Sequence, residues 1–192
     1  MKYIKETSWN EIFQNWAKRE SNNPAWIRCA TEIKGWPNWE SWRGYTANLF
    51  NAKNRKWSLY KFENPKEEIL NMLIGPYTGW QSKVKNKNNT TFKELLDIPE
   101  QFNELSHHEG VINILNGLPF NTEMIGIKRK DSEKIILIEG HHRAVAITLA
   151  KLQKKPIEYS KTRITIALTD IDIDEIEILD KMLEQGSTNP NV

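Results

Sequence analysis

Residues 135 to 146 read IILIEGHHRAVA. An apolar run stops at Glu139-Gly140-His141-His142-Arg143 and resumes at once as apolar sequence, so five polar or flexible residues sit between two segments that read as buried. With a strand before them and a helix after, the first helical turn presents unpaired backbone N–H groups at the positive end of a dipole, where anions bind. Gly140 permits the tight turn and the close approach of a phosphate, while His141, His142 and Arg143 add side-chain donors, Arg143 with the fork geometry that grips two oxygens at once. Basic residues at a helix N-terminus are locally unfavourable, and an anionic ligand would reverse that cost. The plainer alternative is a structural pair, with Glu139 answering Arg143 or one of the histidines.

The elements that must hold this turn can be read on either side of it. The run EMIGIKRKDSEKIILIEG predicts a hairpin, Met124 to Lys128 outward and Lys134 to Ile138 back, and four apolar residues in succession on the return strand predict burial on both faces. Ala144 to Leu152 is almost wholly apolar, which predicts a buried helix, and TRITIAL predicts a further strand. Upstream, Trp57 and Leu59 alternate toward a strand that ends at Asn64-Pro65, and PKEEILNMLIG predicts a short helix stopped by Gly75. The polar, basic stretch QSKVKNKNNTT predicts a mobile loop. Helical spacing follows in two pieces from Thr91, the second ending at Gly117 and Pro119. In the first fifty residues, Ser8 followed by Glu11 caps a helix carrying Trp9, Ile12, Phe13 and Trp16, and a second helix after Pro37 carries Trp39, Trp42, Tyr45, Thr46 and Leu49. Asp172 with Glu175 opens a last helix that Gly186 ends, and the final six residues read as frayed.

Composition narrows the classes. All eight tryptophans precede residue 81 and all four histidines follow residue 100, which predicts two parts. No apolar run approaches the ~20 residues of a membrane span, and the start MKYIKETSWNE lacks the apolar centre of a signal peptide, so the chain reads as cytoplasmic without a membrane partner. The single cysteine, Cys29, excludes an internal disulfide and reads as a small packed residue. The net charge of +2 conceals an asymmetry, because from Asp170 onward seven acids accompany one base, Lys181. A basic body suits a phosphate-bearing partner, although an acidic tail can fold back on it.

The order strand, Glu139, Gly140, His141, His142, Arg143, helix resembles the ParB/sulfiredoxin superfamily, whose motif is an acid, a glycine, one or two polar residues and an arginine opening a helix. The resemblance extends over residues 57 to 169 and leaves the amino-terminal residues and the acidic tail outside it. It implies an α+β fold: a ParB/sulfiredoxin-like core at 56 to 170 with a small mixed sheet and packed helices, a tryptophan-rich helical lobe at 1 to 55, and an acidic helix and tail at 171 to 192. It also implies a nucleotide site, ATP or CTP with magnesium, in which Gly140, His141, His142 and Arg143 hold phosphates. Glu139 and His142 would serve the chemistry, with Glu63, at the end of the first core strand, as a candidate base. Sulfiredoxins carry a cysteine where this chain has His141, so their redox chemistry is not expected. Partition proteins continue into a DNA-binding domain, whereas here one acidic helix follows the core. What remains are the kinase-like members, and with them phosphoryl transfer or nucleotide hydrolysis.

Three other readings compete. Two histidine pairs with Glu109 or Glu139 raise a zinc or iron site, but adjacent histidines on a helix diverge by about 100°, so each pair supplies one ligand at most. His107-His108 otherwise reads as a polar corner between helices. The basic runs KVKNKNN, KRK and KLQKK suit a DNA-binding protein or nuclease. A non-catalytic module would pair nucleotide binding with a protein partner on the tryptophan-rich lobe.

Overall fold

The computed structural model describes all 192 residues and shows an α+β protein built on one five-stranded mixed sheet. The strands are β1 (Lys2–Thr7), β2 (Trp57–Lys61), β3 (Thr122–Arg129), β4 (Ile135–Glu139) and β5 (Ile164–Ile171), in the spatial order β1-β2-β5-β3-β4. Neighbours are antiparallel except β3 and β5, which run parallel. The helices are α1 (Trp9–Glu20), α2 (Pro24–Arg28), α3 (Trp39–Leu49), α4 (Pro65–Glu68), α5 (Thr78–Gln81), α6 (Phe92–Leu96), α7 (Pro99–Ser106), α8 (Glu109–Gly117), α9 (His141–Leu152) and α10 (Glu177–Gln185). None is long and apolar enough to cross a membrane.

Period-two alternation divides the sheet between two cores. Ile164, Ile166 and Leu168 of β5 face one core with Met124, Leu137 and the apolar length of α9, whose residues Ala144 to Ala150 are all buried. Ala167 and Ile171 face the other with Trp57, Leu59, Ile125 and Ile127, against Trp9, Ile12 and Trp16 of α1 and Trp39 and Trp42 of α3. The tryptophan-rich helices therefore share a hydrophobic core with the sheet. Their starts are fixed locally: Ser8 Oγ accepts from the N–H of Glu11 at 3.2 Å, and Asn38 Oδ1 from that of Ser41 at 2.8 Å.

β4 is fully buried, as its four consecutive apolar residues imply, and the reason is a segment beyond it. The helix expected to run to Gly75 ends at Glu68, continues as one 3-10 turn, and becomes extended at Met72. Leu73 then donates to Ile135 O at 2.7 Å and accepts from Leu137 N at 2.9 Å, so β4 is not left as an edge. This segment also brings Gly75 alongside the turn that follows β4.

Three further expectations change. The stretch expected to be a mobile loop is turn-rich but anchored: the buried Gln81 amide donates to Ile74 O and Gly75 O, its Oε1 accepts from Asn88 N, and Val84 is buried. The two helical pieces after Thr91 are three helices, because Pro99 starts α7 afresh. The tail expected to fray docks instead: Ser187 O accepts from Trp36 Nε1 at 2.8 Å, and Asn189 bonds to Lys34 O and Gly35 O. At the other end, KYIKET forms edge strand β1, which its short, polar pattern did not announce.

Candidate functional site at the start of helix α9

Glu139 is the last residue of β4, and Gly140 turns the chain into α9 with φ 107° and ψ 18°. That left-handed conformation favours glycine, and a Cβ there would also lie 3.0 Å from Met124 Cγ. No side chain caps α9. Its first intrahelical bond runs from Ala144 N to Gly140 O at 2.8 Å, leaving the N–H groups of His141, His142 and Arg143 without partners in the chain.

Arg143, expected to hold phosphate, is already engaged. One terminal nitrogen donates to Thr122 Oγ1 and, at 3.3 Å, to Glu123 O; the other donates to Glu139 Oε1 and lies 3.5 Å from Glu20 Oε1. Glu20 reaches this point from the end of α1, with Oε2 accepting from Trp16 Nε1 at 2.9 Å. Two carboxyls thus share one guanidinium. Glu139 is 7% exposed and its Oε2 is buried with no partner. Burial pushes its pKa up to about 7; the Arg143 charge opposes that rise and the neighbouring Glu20 adds to it.

The two histidines have different environments. His141 is buried, its Nε2 accepts the backbone N–H of Gly75 at 2.9 Å, and its ring stacks on Trp80 with centroids 5.0 Å apart. Nε2 is therefore an acceptor and unavailable to donate to an anion. Burial first, then the charges of His142, Arg43 and Arg143, lowers its pKa to about 3. His142 is partly exposed and stacks on His108 at 4.8 Å, with Trp80 at 5.4 Å and Trp26 at 6.4 Å. Burial and the His108 ring lower its pKa to about 4. His108 thus joins the site rather than forming a plain surface corner, while His107 bonds back to Asn103 O at 2.7 Å.

Glu63 is not brought to this turn. Its side chain is 65% exposed and lines a cleft of about 550 Å³ with Lys2, Lys61 and Tyr159. It follows β2, and β5 and β3 lie between β2 and β4. At ~4.8 Å per strand the three steps separate the two positions by at least about 14 Å. No three histidine, cysteine, aspartate or glutamate side chains converge in a metal-binding group.

Two residues that sequence reasoning did not single out complete the cluster. Arg43 of α3 places its guanidinium 3.7 Å from the Trp42 ring centroid, 5.0 Å from Trp16 and 5.5 Å from Trp26. Its Nε is buried without a partner and it enters none of the molecule's ion pairs. Tyr77 packs edge-on against His141 at 5.5 Å, and its hydroxyl is likewise buried and unpartnered. The pKa of Arg43 is lowered by burial, against which the nearby Tyr77, Glu20 and Glu139 act; that of Tyr77 is raised by burial. The sole local hint was an arginine set in a tryptophan stripe, WESWRGY. The unpaired amides, Arg43 Nε and the Tyr77 hydroxyl are donors of the kind that phosphate oxygens would accept. No family model, curated protein or solved structure matches this chain.

Proposed function

We propose that the chain has a ParB/sulfiredoxin-like core and binds a nucleotide or phosphorylated small molecule at the first turn of α9, where it transfers or hydrolyses the terminal phosphoryl group. The observation that carries this reading is the uncapped α9 N-terminus beside a 93%-buried carboxyl whose second oxygen has no partner. The backbone amides of His141, His142 and Arg143 position phosphate oxygens. Glu139 Oε2 accepts the proton of the attacking water or acceptor hydroxyl as its oxygen bonds to phosphorus and the bond to the leaving phosphate breaks. A carboxyl whose pKa is raised toward neutrality suits that task. Arg143 then acts by orienting Glu139.

The test is calorimetric titration with ATP, CTP, GTP and ADP, with and without magnesium, followed by phosphate release. Native protein is expected to bind at least one nucleotide and turn it over. Glu139→Gln keeps an acceptor for Arg143, so it should retain binding and lose turnover. If none of the four nucleotides binds, the nucleotide reading fails; salt-dependent DNA binding in the same preparation would point to a nucleic-acid partner instead.

A further inference from the structure

A buried guanidinium N–H without an acceptor is costly, because desolvation removes its water and nothing replaces it. Three tryptophan rings near the guanidinium compensate its charge in part but offer its N–H groups no oxygen acceptor. Arg43 Nε is therefore an orphan donor and Tyr77 Oη an orphan hydroxyl, in one cluster with Glu139 and Glu20, whose carboxyls face each other. Arg43 Nε and Tyr77 Oη, with the unpartnered Nε1 of Trp42 beside them, describe a ligand by complement. It carries an oxyanion for Arg43 and Tyr77.

We infer that Arg43 and Tyr77 form the oxyanion receptor of this site and that the group they take is a terminal phosphate. This inference rests on the reading of the α9 turn as a phosphate site, and it assigns the cationic role outside the motif. Arg143 faces Glu139 and Glu20, so its charge is answered within the chain. Arg43 has Glu20 and Glu139 as its nearest acids, yet neither pairs with it, because both are oriented to Arg143 and Trp16. The receptor is delivered by α3 and by the turn before α5, so the helices of the tryptophan-rich layer complete a site that the strand and α9 only begin. Trp26, Tyr77, Trp80 and His142 are each partly exposed, so the edge of the cluster reaches solvent.

The experiment titrates inorganic phosphate, pyrophosphate and ATP into native protein, Arg43→Met and Tyr77→Phe, reading calorimetric heat, tryptophan fluorescence and thermal midpoint. Methionine fills the tryptophan cage without a charge, so the fold is expected to hold its midpoint or gain. Arg43→Met should weaken phosphate and pyrophosphate binding about 10- to 100-fold, the range for one charge-assisted contact, and Tyr77→Phe less. Native protein should show a fluorescence change on binding that Arg43→Met lacks. If native protein binds these probes and Arg43→Met binds them equally while losing thermal stability, Arg43 is a packing residue and the inference is overturned with the phosphate-site reading intact. If native protein binds phosphate or pyrophosphate through Arg43 but not ATP, the receptor stands and the nucleotide reading falls. Failure of native protein to bind any probe overturns both.

Discussion

The backbone N–H of Gly75 donates to His141 Nε2 at 2.9 Å, joining the extended segment beside β4 to the first residue of α9. The contact is close enough that only glycine fits, since a Cβ on residue 75 would lie 2.2 Å from Leu137 O and 2.7 Å from the same imidazole nitrogen. His141, which looks like a phosphate donor in the sequence, is thus what holds the turn in place.

Replacing His141 with phenylalanine preserves a ring against Trp80 and leaves the Gly75 N–H buried without an acceptor. The expected loss is about 1–3 kcal/mol in urea unfolding at pH 7.5. Gly75→Ala should cost about 3 kcal/mol or more, because the obstruction is backbone that cannot move aside without disturbing β4. A His141→Phe variant as stable as native protein would show that this bond contributes nothing net.

Stability should fall as the solution is made acidic, starting below about pH 6.5. Both motif histidines have depressed folded pKa values, about 3 and about 4, so the unfolded chain takes up two protons near its ordinary value of 6.5 that the folded chain refuses. Glu139 acts in the opposite sense. Its raised value, about 7, means the folded chain holds a proton that the unfolded chain releases near 4.5, a contribution present at low pH and lost as pH rises through 7. Two protons against one leave a net slope of up to about 1.4 kcal/mol per pH unit between roughly 6 and 5. Urea midpoints at pH 8, 6 and 5 check this, and His141→Phe should flatten the curve. A midpoint unchanged from 7 to 5 would contradict the burial of the rings.

Removing Glu139 should be far more damaging than neutralising it. Glu139→Ala leaves Arg143 with the longer Glu20 contact and opens a void in a buried cluster, so about 3–5 kcal/mol is expected. Glu139→Gln keeps the Arg143 acceptor and can donate toward Glu20, and should stay within about 1 kcal/mol of native. A double-mutant cycle with Arg143→Met isolates the pair; a coupling below about 0.5 kcal/mol would make it incidental.

The parts of this site that were legible in the sequence are those fixed by neighbours in the chain. Four apolar residues, a glycine and a buried helix place the turn without any distant information, and Ser8 and Asp172 announce their helical turns for the same reason. Arg43 could not be read in this way, because its three tryptophans come from α1, α2 and α3 and its unpartnered state depends on where Glu20 and Glu139 turn instead. His108 differs from His107 by one residue, and which of the two meets His142 is set by how α7 and α8 pack. Glu63 was a candidate base on a family resemblance, and the strand order places it at the far side of β5 and β3.

The docked tail supports the layer that carries Arg43. Ser187 O and Asn189 bond to Trp36, Lys34 and Gly35, and Val192 packs against Gly35, whose φ is +69°. These contacts hold the end of the π-helical turn Cys29–Ile33 and the approach to α3. Deleting residues 187 to 192 removes about three hydrogen bonds from partly buried groups, so a loss of about 1–3 kcal/mol is expected. The effect should be regional: hydrogen exchange should speed up from Cys29 to Asn38 while the amides of α9 keep their protection. Because α3 would be held less firmly, phosphate binding through Arg43 should weaken several-fold with no change in the Gly75–His141 bond. Equal acceleration of exchange across α9 would mean that the tail stabilises the whole molecule and has no particular connection to the arginine.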